Sequence, residues 1–145
     1  MIYPVPGLTN EEQPEPVVLR MLAWGEARGE GLDGMVAVLH VVRNRALKAD
    51  TTMRNQALKR LQFSCFNDTD PNRAKMLTAY RDDLRGWGLA NAAVELLNTE
   101  PEVDPTHGAT HYFVASMPNP PAWSRPENGW IQTARIGAHE FGRAA

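Results

Sequence analysis

The sequence predicts a mostly helical α+β domain with one short β element and an irregular C-terminal third. Three observations lead there. Apolar residues recur at helical spacing between Val17 and Leu97, and proline and aspartate stand where helices would start. After Thr99, Pro101, Pro105, Gly108, Pro118, Pro120, Pro121, Pro126, Gly129 and Gly137 interrupt any long regular element. At 145 residues the chain suits a single domain that buries about 68% of its unfolded surface.

The elements follow in order. Residues 1–16 are rich in Pro, Glu and Gln and read as a flexible arm, which leaves 17–145 as the folded domain. Pro16 is a helix-start signal for Val17 to Ala23, continuing towards Glu26. Asp33 is placed to cap a second helix from Met35 through Leu47, apolar on nearly every side and therefore central. A β-branched run of that kind also suits a buried strand; its length and continuation through Arg43-Asn44-Arg45 favour helix. A shorter helix is expected from Met53 to Leu61. Asp70-Pro71 should open another reaching about Arg85, and Gly86 and Gly88 should break the chain before a helix from Leu89 to Leu97. His111-Tyr112-Phe113-Val114 is the one plausible strand.

Composition excludes several classes. A net charge of −2 with no basic stripe gives no footprint for nucleic acid. Arg43, Arg45 and Lys48 suit the C-terminal end of a helix, where the dipole favours cations. One cysteine rules out an intrachain disulfide framework. No run approaches a membrane span, and residues 1–7 do not read as a signal peptide, so cytoplasmic synthesis is expected.

The run Trp24-Gly25-Glu26-Ala27-Arg28-Gly29-Glu30-Gly31 is the most informative chemically. On a helical wheel Glu26 falls in about the same quadrant as Val18, Leu19 and Leu22. It is a carboxyl at the edge of an apolar stripe, and partial burial favours the protonated form that a general acid needs. The alternative is a surface glutamate paired with Arg20 or Arg28. Glu30 would share its face only if the helix continued, which Gly29 and Gly31 oppose, so a structural or capping role suits it better.

Other chemistries compete with a carboxyl acid. Cys65 with His107 or His111 as base would make a peptidase, but Phe63 and Phe66 flank it as they would a buried thiol. His107, His111, His139 and Asp104 are zinc-competent types, yet His139-Glu140 lacks the histidine a zincin helix needs, with Arg143 in its place. Asp68-Thr69-Asp70-Pro71-Asn72 begins like a calcium loop, but Arg73 and Ala79 stand where glycine and glutamate are required. No metal or cofactor is expected.

Several segments, in order, resemble the SleB-type cell-wall hydrolases, the family of spore-cortex-lytic enzymes and related peptidoglycan-cleaving domains. They are Trp24 to Glu30, Ala37 to Arg45, Gln62-Phe63-Ser64-Cys65, Asp104 to Tyr112, Pro121-Ala122-Trp123 and Ile136 to Phe141. The resemblance implies a lysozyme-like, lytic-transglycosylase-type fold and cleavage of glycan strands between N-acetylmuramic acid and N-acetylglucosamine. It makes Glu26 the catalytic acid, and Gln62, Ser64, Thr110 and Tyr112 glycan-binding candidates. Trp123 joins them as an aromatic face for a sugar ring. Glu30, Arg45 and His111 are candidate supporting residues.

Glycoside cleavage needs an acid and usually a second carboxylate. With no clear second carboxylate, a one-acid reaction giving a 1,6-anhydro sugar is expected, as in lytic transglycosylases. The alternatives are a hydrolytic muramidase on the same bond and a non-catalytic wall-binding or virion module. A phage or prophage endolysin, reaching peptidoglycan with a holin-like release factor, is the expected context.

Overall fold

The computed structural model describes residues 1–61 and 71–145. Six α-helices and three strands occur among them: α1 (Glu15–Ala27), α2 (Gly31–Ala49), α3 (Met53–Leu61), α4 (Pro71–Met76), α5 (Ala79–Asp82), α6 (Leu84–Thr99), β1 (His111–Val114), β2 (Ile131–Ile136) and β3 (His139–Arg143).

The helical layer is built on α1, α2 and α6. Val18, Met21, Leu22, Met35, Leu39 and Trp87 have no accessible surface, as a helix packed on several sides requires. Pro16 lies in the first turn of α1 as expected, and α3 has the expected bounds. Asp33 is not the cap of α2. Gly31, at φ +73°, turns the chain sharply after α1, so α2 starts three residues earlier than a cap at Asp33 would set it and Asp33 falls in its first turn.

Gly86 and Gly88 do not break the chain either. They lie inside α6, and the break comes at Asp83, which caps α6 by accepting the Gly86 N–H at 3.0 Å. Its other oxygen accepts the Trp24 indole N–H at 2.9 Å. A side chain at position 86 would overlap the Asp83 carboxylate and crowd that indole nitrogen. The glycine is there for close approach, not for a turn.

Of the first sixteen residues, expected as a flexible arm, Glu15 and Pro16 already belong to α1, and the stretch before them is tied to the helices at particular residues. Gln13 is fully buried and exchanges hydrogen bonds with the Val5 backbone, and the Trp87 indole donates to the Ile2 carbonyl at 3.1 Å. A buried amide meeting backbone partners gives this polar stretch an anchorage that composition does not reveal.

The C-terminal third holds more strand than expected. The sheet order is β1-β3-β2, all antiparallel, with a bulge between Gln132 and Ala134. Gly137, read as an interruption, makes the two-residue turn between β2 and β3 with φ +55°. Phe141, Ala109, Val41 and Ala37 form a small second core in which Tyr112, Ala134 and Ile136 also pack, fastening the sheet to α2. No helix among the described residues is long and apolar enough to cross a membrane.

Candidate active site

Glu26 stands on the last turn of α1, half-buried, where the helical layer meets the sheet. Tyr112 on β1 donates its phenol O–H to Glu26 Oε2 at 2.9 Å. The residues are 86 apart in sequence, so this contact exists only in the folded chain. Tyr112 points at the helices because side chains alternate along a strand: its ring packs on both cores and meets Phe141 at 5.4 Å.

Arg20 is not a partner of Glu26. Its guanidinium is buried, donating to Asn91 Oδ1 at 2.6 Å and to the Pro16 carbonyl at 2.7 Å. Burial lowers its pKa, offset in part by the charge of Glu95. Arg28 lies over the Trp24 ring, 4.2 Å from its centroid. Beside that stack, Asp83 is held below the usual carboxylate range, first by the indole N–H and then by the Gly86 N–H.

Glu30 reaches the turn between β2 and β3. Its Oε2 accepts the Ala138 N–H at 3.3 Å, and its Oε1 lies 3.8 Å from His139 Nδ1. It also stands at the N-cap position of α2, without a side-chain capping bond. The ring of His139 meets Tyr112 edge-on, with centroids 5.3 Å apart.

A second junction lies further along α2. Asn44 Nδ2 donates to Asp104 Oδ2 and to the Ala109 carbonyl, each at 2.9 Å. Asp104 also accepts Thr106 N–H at 2.8 Å, Thr106 O–H at 2.7 Å and Gly108 N–H at 2.9 Å. Burial alone would raise this carboxyl, but the four bonds outweigh it and hold the pKa below the ordinary value. His40, fully buried on α2, brings Nδ1 to 3.8 Å of Asp104 Oδ1 without a hydrogen bond. Burial pushes its pKa down against the pull of Asp104, with Arg43 adding to the fall.

Arg45 donates to the Thr110 carbonyl at 3.3 Å, and Thr110 is itself buried with its hydroxyl 3.0 Å from His111 Nδ1. These residues brace the start of β1 and thereby the strand that presents Tyr112. Trp123 occupies a short 3-10 turn against His111 (4.9 Å), Trp130 (5.4 Å) and Phe113 (5.8 Å). Those neighbours cover the sheet face opposite Tyr112, so the structure brings Glu26 and Tyr112 together and places Trp123 elsewhere. Gln62, Ser64 and Cys65 lie outside the described residues, as does the start of the calcium-like run at Asp68.

Among the described residues no three His, Cys, Asp or Glu side chains gather around a point that could hold a metal. His139, weighed in the sequence only as a zinc-competent residue and as part of the Ile136 to Phe141 segment, is a neighbour of this site. Its position two residues before Phe141 puts it on the same strand face.

No protein of curated function matches the chain. Among solved structures, the catalytic domain of the germination-specific lytic transglycosylase SleB from Bacillus anthracis is similar at a TM-score of 0.56 and 21% identity. The alignment covers 95% of this chain and 98% of that one, and it bears out the lysozyme-like α+β fold. A family model described as cell wall hydrolase matches residues 29–142, with Glu30 inside the span and Glu26 just before it, and the chain belongs to that family of enzymes.

Proposed function

We propose that the chain cleaves peptidoglycan glycan strands between N-acetylmuramic acid and N-acetylglucosamine as a lytic transglycosylase, with Glu26 as acid and then base. The observation that carries this reading is the Tyr112–Glu26 hydrogen bond, which holds a half-buried carboxyl where helix and sheet meet. Tyr112, expected to bind sugar, is placed to orient the acid. Because Oε2 accepts from the phenol, the transferable proton belongs on Oε1.

Glu26 gives that proton to the glycosidic oxygen as the C1–O bond breaks, and the N-acetylglucosamine side leaves with a hydroxyl. The muramic acid 6-hydroxyl then attacks C1, and its proton passes to the Glu26 carboxylate. A 1,6-anhydro ring forms, the acid is regenerated and no water is consumed. Tethering the nucleophile to the reacting sugar supplies proximity without a second protein carboxylate. Glu30 supports this one-acid scheme because its carboxylate faces the β2–β3 turn. The similarity to a lytic transglycosylase domain points the same way.

The test is turbidity loss on purified sacculi. Lysis by the native chain and none by folded Glu26→Gln are expected. Release of free stem peptides in place of muropeptides would contradict glycan cleavage.

A further inference from the structure

We propose that Glu30 and His139 are positioning residues for Glu26, acting through Tyr112; this rests on the reading of Glu26 as the acid. The two glutamates of the Glu26-Ala27-Arg28-Gly29-Glu30 run are joined by a path that crosses the sheet instead of following the helix. Glu30 faces His139 Nδ1 at 3.8 Å, His139 meets Tyr112 edge-on at an interplanar angle of 85°, and Tyr112 donates to Glu26 at 2.9 Å.

The surroundings are shaped for this path. A side chain at Gly137 would overlap the Glu30 carboxylate, and one at Gly34 would overlap the Glu30 stem. His139 and Glu30 side chains are only 13% and 24% exposed, so their contact is sheltered from competing water. His139 and Phe141 sit on one face of β3 and flank the Tyr112 ring, at 5.3 and 5.4 Å. The Glu30 carboxylate also accepts the Ala138 N–H, which pins the turn carrying His139. Shifting the turn therefore shifts the wall against which Tyr112 leans, and with it the phenol that sets the direction of Glu26. Misplacement of a reacting group by about 1 Å can cost up to ~10²-fold in rate.

A purely structural clip would hold the turn without touching the chemistry, and kinetics separate the two. Initial lysis rates are measured against sacculus concentration for Glu30→Gln, His139→Phe and Gly137→Ala, each checked for folding by circular dichroism. The phenylalanine variant keeps a ring beside Tyr112 and loses the nitrogen that faces Glu30. The expected result is a fall in kcat of about tenfold, with half-saturation unchanged. In a Tyr112→Phe background the same changes should add almost nothing, because the path is already cut.

An unchanged kcat with a lowered melting temperature would overturn the proposal in favour of a clip. Losses that multiply with Tyr112→Phe would overturn it by showing independent action. A loss in Glu30→Gln equal to that of Glu26→Gln would overturn it in favour of a second catalytic carboxylate. Full activity in Glu26→Gln, assayed alongside, would remove the acid itself and distinguish failure of the underlying reading from failure of the path.

Discussion

Glu26 and Asp104 both lie where the helical layer meets the C-terminal third, and the structure treats them differently. Asp104 accepts four hydrogen bonds from Asn44, Thr106 and Gly108, which fix the loop before β1 and stabilise the charged carboxylate. An acid held that way gives up its proton early and does not carry one to a leaving group. Glu26 instead takes the hydroxyl of a tyrosine whose ring is packed by core and sheet. A phenol can orient a carboxyl in either protonation state. Asp104, tied by four donors, holds the loop before β1, whereas Glu26, the acid of the proposed reaction, is held by a hydroxyl that reaches it from the sheet.

The largest expected effect separates them directly. Glu26→Gln should lower lysis by at least ~10²-fold while leaving the melting temperature within a degree or two of the native protein. Asp104→Ala should do the reverse, costing about 2–3 kcal/mol of stability while the folded fraction keeps its activity below melting. Denaturant titrations beside sacculus assays check both. Loss of activity in a fully folded Asp104 variant would erase the distinction.

Tyr112→Phe comes next. It removes one hydrogen bond and leaves the packed ring, so a loss of roughly tenfold in rate is expected. An unchanged rate would mean that the phenol serves only the fold.

A smaller effect concerns pH. His40 and Asp104 both have lowered pKa values in the folded protein, so the unfolded chain binds their protons first. Their contribution to stability is complete above the ordinary histidine value of about 6.5. It falls as pH drops, first through His40 and then, below about 4, through Asp104. Thermal melts from neutral to acid should show this decline, and His40→Gln should flatten its upper part. A melting curve in that variant with native pH dependence would contradict it.

The smallest effect is expected at Cys65. Substitution by serine should leave most lytic activity, and EDTA should leave the native rate unchanged. Activity lost in a folded Cys65→Ser protein would favour a thiol peptidase, and loss on chelation a metal enzyme.

Local signals made much of the helical layer legible. Pro16 marked α1, the apolar run around Leu39 marked α2, and the half-buried position of Glu26 on α1 followed from the apolar stripe. The misreadings came where a residue answers to something distant. Gly86 is a helix breaker by propensity, yet it makes room for Asp83 beside Trp24, 59 residues from that aspartate. Gly137 interrupts a strand by propensity, yet it forms the hairpin turn on which Glu30 rests. The family resemblance makes Tyr112 a glycan-binding candidate, but only the folded chain shows its hydroxyl turned to Glu26. Sequence periodicity places a residue on a face; it does not say which residue meets it there.

The most direct test of the account is the mass of the soluble products released from sacculi in heavy-oxygen water. Intramolecular attack predicts muropeptides with 1,6-anhydro ends, one water lighter than the hydrolytic product and free of label at the cleaved carbon. Mainly reducing muramic acid ends carrying the heavy oxygen would contradict the transglycosylase and leave a hydrolytic muramidase.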